Sequence, residues 1–296
     1  MSSTFLLEIG TEELPAEFVH SALKQLQQMV VSDLKDLRLS HGQVRVSGTP
    51  RRLAVVVESL IERQPDLEEE RKGPPVKQAL VDGKPGPAAL GFAKRCGVDP
   101  AELQSRDTPK GACLFARVCT PGDATTTLLI ERIPAWINGL QGRRFMRWGD
   151  GDQRFSRPVR WLVSLYGSEL IPVTLSAAKP QVQSGRLSRS HRLRDSTVEI
   201  QHADDYCDAL AKAGVMVDRS QREHLIRSAL DSEAQACSAS VDCPEALFEE
   251  LVDLVEAPRV LSGEIADCYL ELPPEVIITV MQSHQRYVPL KRENAH

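Results

Sequence analysis

The stretch from Arg143 to Leu162, RRFMRWGDGDQRFSRPVRWL, constrains the fold more than any other part of this chain. Its centre, Gly149 to Asp152, has the composition of a tight turn, so the arms on either side are expected to be extended. Pro158 favours an edge strand or the first residue of a strand. The sequence therefore predicts a strand–turn–strand unit whose arms carry arginine and aromatic side chains.

The charges of the chain are concentrated in and after this stretch. Residues 143–194 hold eleven Lys and Arg against three Asp and Glu, a surplus of eight positive charges, whereas all 296 residues have a net charge of −5. Such separation creates a directed electrostatic field. Arginine interleaved with aromatic residues suits RNA, because guanidinium groups bind phosphates and rings stack on bases. The residues predicted to bind RNA are Arg143, Arg144, Arg147, Trp148, Arg154, Arg157, Arg160, Arg186, Arg189, His191 and Arg192.

An alternative for the same residues is purely structural. The arginines could pair with the acidic remainder of the chain, and the tryptophans could belong to the core. Strand periodicity adds a second expectation, because alternate residues of a strand face opposite sides. Arg154 and Arg160 should then share one face, and Arg143, Arg147 and Arg157 the other.

Length and composition exclude several classes of protein. A chain of 296 residues with 42% hydrophobic residues predicts about two globular domains. There is no long apolar run, and the N-terminus lacks the basic region of a signal peptide, so no membrane association is expected. The seven cysteines are scattered, without C-x-x-C pairs or histidines at ligand spacing, which predicts reduced thiols, a cytoplasmic location and no metal site.

The pattern of apolar residues predicts an α+β fold with mixed, largely antiparallel sheets and packed helices in two lobes. Residues 4–9 are expected to form a strand, and the helical spacing after Pro15 predicts a long helix to about Leu39. Residues 1–175 are predicted to form the first domain, with 64–140 as a possible inserted sub-lobe, and residues 176–296 the second. Residues 259–265 have the composition of a strand.

The segment from Gln64 to Pro87 is charged and rich in proline and glycine, which is typical of a linker or a long exposed loop. Within it, Arg71 to Pro75 could hold a phosphate, although an exposed hinge is the favoured interpretation. Glu12 and Glu13 precede the first long helix, where the helix dipole favours carboxylates.

Several catalytic signatures are absent from the sequence. It has no phosphate-binding P-loop, no dinucleotide-binding glycine pattern, no H-E-x-x-H and no G-x-S-x-G. The HIGH and KMSKS sequences of class I aminoacyl-tRNA synthetases are missing, as is a convincing class II ATP motif. The sequence therefore predicts no nucleotide-activating chemistry and no catalytic residues in this chain.

Eight motifs resemble one family, the β-subunit of bacterial glycyl-tRNA synthetase. They are EIGTEELP (8–15), TPRRLAV (49–55), RKGPP (71–75), GFAKRCGV (91–98), MRWGDGDQRFSRPVRWL (146–162), SHR (190–192), ELPPEVI (271–277) and HQRY (284–287). Their order and their spread over nearly the whole chain make the resemblance specific.

The resemblance implies a division of labour. In this family the α-subunit carries the site for glycine, ATP and Mg, while β supplies tRNA binding, within an expected α2β2 assembly. The chain is then expected to be a tRNA(Gly)-binding accessory portion of the ligase without a cofactor of its own. Because the family's β-subunit continues into further domains, the chain is also expected to be its N-terminal portion.

Two other functions stay open at this point. The chain could be a tRNA-editing-like deacylase with His191 or His284 as base, which would require a carboxylate beside the histidine in a closed pocket. It could also be a scaffold that docks the α-subunit, which would require exposed apolar residues between Leu7 and Leu39 and arginines held in ion pairs.

Overall fold

The computed structural model describes residues 2–81, 84–109 and 111–292. The helices are α1 (Ala16–Asp36), α2 (Val76–Ala79), α3 (Pro87–Cys96), α4 (Thr125–Gly139), α5 (Tyr206–Lys212), α6 (Arg219–Ala236), α7 (Glu245–Leu254) and α8 (Pro274–Thr279). The strands are β1 (Ser2–Thr11), β2 (Val44–Thr49), β3 (Arg52–Ile61), β4 (Leu67–Pro75), β5 (Leu80–Val81), β6 (Lys84–Pro85), β7 (Gln104–Thr108), β8 (Gly111–Thr120), β9 (Met146–Arg147), β10 (Arg154–Phe155), β11 (Val159–Tyr166), β12 (Glu169–Leu170), β13 (Thr174–Leu175), β14 (Val182–Gly185), β15 (Leu187–Arg189), β16 (Thr197–Glu199), β17 (Ser240–Val241) and β18 (Leu290–Lys291).

Contacts divide the described residues into two compact units. The first unit contains residues 2–36, 40–61 and 126–292, and the second contains residues 37–39 and 62–125. Strand pairs in both units are mostly antiparallel, which confirms the predicted α+β class. The predicted boundary at residue 175 and the inserted sub-lobe at 64–140 stay predictions. Among the helices of the described residues, none combines the length and apolar character needed to span a bilayer.

The first unit is built on a seven-stranded sheet in the order β13-β14-β11-β1-β3-β2, with β12 also paired to β11. β1 runs antiparallel to both β3 and β11, so Leu6 lies opposite Val56 on one side and Leu165 on the other. β11 and β14 are parallel. Side chains that lie opposite one another share a face of the sheet. Residues 5–11 of β1 are all buried, so the strand is buried on both faces, and polar residues within it need internal partners.

Different segments of the chain pack on the two faces of this sheet. One face holds Leu6, Ala54, Val163 and Trp161, which pack with residues from the 198–217 segment, including Tyr206. α1 contacts the sheet through β2 and β3. Its residues Phe18, Ala22, Leu26, Val30 and Leu34 recur at helical spacing and are buried. The helix predicted from this spacing is confirmed, and it ends at Asp36 rather than near Leu39.

The second unit corrects the prediction of a linker between Gln64 and Pro87. β4 pairs antiparallel with β8, which also pairs with β7, and α3 packs on this sheet through Phe92. The many charges of β4 are matched across the sheet, as Glu68 binds Arg117 at 2.6 Å and Glu70 binds Arg106 at 2.7 Å. A charged segment can therefore be a regular strand when its neighbours carry the opposite charge.

One further expectation needs correction. Residues 259–265, predicted to be strand-like, form no strand in the described structure. Pro134 lies inside α4, which continues through it to Gly139.

Candidate nucleic-acid interface

The turn predicted at Gly149 to Asp152 connects two short paired strands, β9 and β10. Gly149 has φ +63°, a conformation that glycine adopts without strain. Arg147 lies directly opposite Arg154 in this hairpin, so the two side chains share a face. The prediction that Arg154 and Arg147 face opposite sides was wrong, because sequence parity does not carry through a turn that folds one arm onto the other.

The aromatic residues of the stretch mainly pack within the protein. Phe145 and Phe155 have ring centroids 5.6 Å apart, and each ring also contacts Phe18 of α1, at 5.4 and 5.7 Å. The half-buried Trp148 donates its indole N–H to the carbonyl of Phe155 at 3.0 Å. These contacts attach the hairpin to α1 and fix the positions of the arginines that it carries.

Three of the predicted arginines come together at one corner of the first unit. Arg160 binds Glu12 at 3.2 Å, Arg143 binds Glu17 at 3.2 Å, and Arg192 binds Glu13. The three carboxylates lie within six residues of chain between β1 and the first turn of α1. Arginines from two basic stretches, residues 143–162 and residues 186–194, therefore bind the same short acidic segment. We call these three arginines and three glutamates the arginine corner.

The other predicted cations have different partners. Arg147 binds Asp152 at 3.2 Å, next to it in the hairpin. Arg157 donates to the carbonyl of Ser156 at 3.0 Å, and Arg186 donates to those of Gln201 and Ser168. Arg144, Arg154 and Arg189 are exposed, and no carboxylate of the described residues pairs with any of them.

Trp161 lies beneath a further group of arginines. The guanidinium carbons of Arg51, Arg52 and Arg189 are 5.8, 5.8 and 5.4 Å from the ring centroid, within cation–π range. The ring also presses on Gly10, where a Cβ atom would sit 1.9 Å from Trp161 Cε2. A glycine at this position lets the indole fill the space beside β1.

A buried ion network lies below this surface. Arg52 is fully buried, and its Nη1 lies 3.6 Å from Oε2 of the equally buried Glu8. Its Nε donates to Oε1 of Glu256 at 3.2 Å. Arg52 also donates to Ser188 Oγ at 3.1 Å and to the carbonyl of Arg189 at 3.0 Å. Because the guanidinium group holds that carbonyl, the buried network fixes the backbone that carries Arg189.

Hydroxyl and indole groups donate further hydrogen bonds to the carboxylates, while Oε2 of Glu8, Oε2 of Glu256 and the hydroxyl of Tyr206 are buried without a hydrogen-bond partner in the described structure. Glu8 Oε1 accepts from Ser188 Oγ at 2.6 Å and from the indole N–H of Trp161. Thr49 Oγ1 donates to Glu256 Oε1 at 2.6 Å. Two buried carboxylates thus share one buried guanidinium, and hydroxyl and indole donors supply part of the hydrogen bonding that an ion pair needs away from water.

Burial and charge change the proton affinity of two groups in this network. Burial lowers the pKa of Arg52, but the charges of Glu8 and Glu256 outweigh it and leave the pKa above its usual value. Burial raises the pKa of Tyr206 well above the usual value, and the negative charge of Glu8 raises it further, while Arg52 opposes the change. Both groups therefore keep their protons at neutral pH.

Sequence analysis missed the buried network and the acidic half of the arginine corner. A signal for Glu8 was present, since it alternates with Leu6 and Gly10 and so falls on a buried face of β1. Arg52 follows Arg51 in the sequence, and only the sheet register distinguishes the buried residue from the half-buried one. Glu256 could not be found, because it lies 204 residues from its partner.

The histidines expected for a deacylase have no acidic partner among the described residues. The ring Nδ1 of His191 accepts from the backbone N–H of Leu193 at 3.4 Å. His284 is exposed in the π-helical segment Val280–Gln285 that follows α8. The described residues contain no cluster of His, Cys, Asp and Glu that could hold a metal ion. Among the described residues, neither histidine has the neighbouring carboxylate that a general base would need.

Comparisons with known proteins give a consistent result. A family model described as glycyl-tRNA synthetase beta subunit matches residues 5–296. Similar proteins include glycine–tRNA ligase beta subunits from Trichodesmium erythraeum, 45% identical over 291 residues, and Acaryochloris marina, 46% identical over 290 residues. A third, from Shouchella clausii, is 39% identical over 295 residues. These alignments cover 98–99% of the present chain but only 40–42% of the relatives.

Proposed function

The chain belongs to the family of glycyl-tRNA synthetase beta subunits, and from this premise we propose that it is a tRNA-binding portion of a glycine–tRNA ligase. In this proposal the arginine corner and its neighbours hold tRNA(Gly) in the cytoplasm. A partner α-subunit, in an α2β2 assembly, supplies the site where glycine is activated with ATP and Mg and attached to the tRNA. The charged side chains of the present chain position the tRNA, and the catalytic residues belong to the α-subunit.

The observation that carries the proposal is the convergence of arginines from two basic stretches. Arg143, Arg160 and Arg192 all bind within Glu12 to Glu17, although Arg143 and Arg192 lie 49 positions apart in the chain. Arg144, Arg154 and Arg189, from the same two stretches, are exposed without a carboxylate partner in the described chain. A phosphate backbone is a ligand for such a dispersed group of guanidinium donors.

The ion pairs of the corner do not prevent RNA binding. Arg143 and Glu17 are 85% and 72% exposed, and surface pairs of this kind stabilise a protein by about 1 kcal/mol or less. A phosphate can replace such a carboxylate at small cost. The glutamates also limit non-specific attraction, because they reduce the positive potential until a well-placed polyanion competes for the arginines.

A salt-dependence measurement tests the proposal. The triple variant Arg143→Gln, Arg160→Gln, Arg192→Gln should weaken binding of a tRNA(Gly) transcript to the 296-residue chain. It should also flatten the slope of log affinity against log salt by about 2, at roughly 0.7 for each lost phosphate contact. The matched control is Arg45→Gln, Arg106→Gln, Arg117→Gln, which also removes three exposed, carboxylate-paired arginines. Equal effects of the two triples on affinity and slope would refute a specific RNA surface.

One observation supports a second candidate, a scaffold that docks the α-subunit. Four predicted arginines already have carboxylate partners, as a structural role requires. The apolar exposure expected for that role is weak, since Val31 is the large apolar residue of the Leu7-to-Leu39 region that is exposed within the described structure. Association with the α-subunit should therefore be measured for the same variants. Loss of this association with unchanged tRNA affinity would favour the scaffold.

A further inference from the structure

A cavity of about 600 Å³ lies in the second unit, where β4 ends. It is lined by the segment from Arg71 to Pro74 and by Phe92, Arg95 and Cys96 of α3. Its size is within the range of small-molecule sites. The two motifs that form it, RKGPP and GFAKRC, have no role in the arginine corner.

The backbone of β4 is shaped to form this cavity. Pairing between β4 and β8 is regular as far as Lys72 and then shifts register before Pro75, so Gly73 and Pro74 leave the ladder. A Cβ at Gly73 would lie 2.5 Å from Cε1 of Phe92, which means that only glycine allows the ring to approach the strand this closely. Phe92 and Cys96 are almost fully buried and give the cavity an apolar floor.

The charge of the lining is entirely positive. Arg71, Lys72 and Arg95 line the cavity, and none of its lining residues is acidic. Arg71 donates a hydrogen bond to the carboxylate of Glu69 at 3.4 Å, and both side chains are about half exposed. No described carboxylate pairs with Lys72 or Arg95. Three cations around a small cavity repel one another, and an anion between them would remove that repulsion.

The position of Arg95 has a simpler partial explanation. Lys94 and Arg95 both lie in the last turn of α3, where the helix dipole favours cations. This effect accounts equally for both residues, but only Arg95 lines the cavity. It also does not explain Lys72, which belongs to β4. The helix dipole therefore does not account for the cavity, and Lys94 provides a matched control residue for Arg95.

We propose that this cavity is a nucleotide-binding site. The phosphate lies among Arg71, Lys72 and Arg95, and the base or ribose covers the apolar floor formed by Phe92, Cys96 and Pro74. Arginine and lysine are the usual protein ligands of phosphate, and a flat base suits an aromatic and proline surface. The nucleotide comes either from a free mononucleotide or from single-stranded RNA. The site uses residues of the second unit alone, so it stands or falls separately from the arginine corner.

Isothermal titration of the 296-residue chain with AMP, inorganic phosphate and an eight-nucleotide single-stranded RNA tests the proposal. The variant Lys72→Ala, Arg95→Ala should weaken AMP or RNA binding by about tenfold or more, since two charge-assisted contacts are lost. The control Lys77→Ala, Lys94→Ala removes the same charge beside the cavity and should stay within about twofold of the wild type, as expected for a screened surface charge. A charge-retaining variant, Lys72→Arg, Arg95→Lys, should keep most of the affinity and guards against misfolding of the alanine variant.

The two sources of the nucleotide give different patterns. Weaker binding of both AMP and RNA in the alanine variant supports a mononucleotide site, whereas weaker binding of RNA alone supports the same site with RNA as the source. The proposal is wrong if the wild-type chain binds neither AMP nor the RNA, whether or not it binds inorganic phosphate. It is also wrong if the control variant weakens binding as much as the alanine variant does.

Discussion

The indole of Trp161 occupies the space that a side chain at Gly10 would need, with Cε2 1.9 Å and Cδ2 2.0 Å from the position of a Cβ atom. The two residues lie opposite each other on adjacent strands, β11 and β1. The same indole donates its N–H to Glu8 and lies within cation–π distance of Arg51 and Arg189. The absence of a side chain at Gly10 therefore allows the position of Trp161, and Trp161 in turn contacts Arg51 and Arg189.

Replacing Gly10 by Ala should destabilise the first unit by about 1–3 kcal/mol, the usual cost of overpacking a buried site. Trp161 and the β1 backbone must move apart, since neither is the free end of a flexible side chain. Thermal and urea unfolding would measure the loss. Gly91→Ala is the control, because a Cβ there meets no atom within 4 Å in the middle of α3. That variant should be neutral or slightly stabilising, by about 0.5–1 kcal/mol. Equal stability of the two variants would contradict the packing argument.

Replacing Arg52 by Met should destabilise the protein by about 3–5 kcal/mol, because two buried carboxylates would lose their shared cation. The comparison variant is Arg45→Met, which removes an exposed pair with Glu58 at 2.9 Å and should change stability by about 1 kcal/mol or less. The double variant Arg52→Met, Glu256→Gln should recover part of the loss, since it removes one of the unpaired charges. An Arg52 variant as stable as the Arg45 variant would show that the network contributes little.

The raised pKa of Tyr206 predicts a fall in stability at alkaline pH. Near pH 10 an unfolded tyrosine releases its proton, whereas folded Tyr206 keeps it. The folded state then binds more protons than the unfolded state, so the free energy of unfolding decreases as pH rises, by up to about 1.4 kcal/mol per pH unit. Tyr206→Phe should reduce this decrease between pH 9 and 11 in thermal melts. Tyr269→Phe, at an exposed tyrosine, is the matched control, and an equal effect of the two variants would contradict the assignment to Tyr206.

Neutralising the acidic half of the arginine corner should strengthen RNA binding. In Glu12→Gln, Glu13→Gln, Glu17→Gln the three arginines no longer have to exchange a carboxylate for a phosphate, and the local positive potential rises. We expect affinity for a tRNA(Gly) transcript to increase about tenfold at low salt, with the gain shrinking as salt screens the charges. The control Glu58→Gln, Glu68→Gln, Glu70→Gln removes three carboxylates that pair with arginines elsewhere. A gain no larger than that of the control would argue against an RNA-binding corner.

Local patterns predicted local structure well in this chain. The burial of α1 follows directly from its helical spacing. The preference of aspartate for the N-cap position likewise accounts for Asp218, whose side chain accepts from the N–H groups of Ser220 and Gln221 at the start of α6. The turn at Gly149 also formed as predicted. In each case the residues that decide the structure are close together in the sequence.

Prediction failed where partners are distant in the sequence. β4 was interpreted as a linker because its charges were judged without the arginines of β7 and β8 that neutralise them. Arg147 and Arg154 share a face because they lie opposite each other in the hairpin, whereas odd and even sequence numbers alone had placed them on opposite faces. The arginine corner was half predicted, because the cations formed recognisable clusters while Glu12 and Glu13 were explained by the helix dipole. Their ion pairs require the fold that brings three segments together.

The buried network also has a consequence for the order in which the protein is made. Arg52 hydrogen-bonds Ser188, 136 residues later, and Glu256, 204 residues later. Contacts between such distant residues form late in folding, because long loops must close first. During synthesis, β1 and β3 leave the ribosome well before Glu256 does. A nascent chain therefore carries Glu8 and Arg52 before their later partners Ser188 and Glu256 exist, and the surface around Arg189 can reach its final form only after translation has passed residue 256.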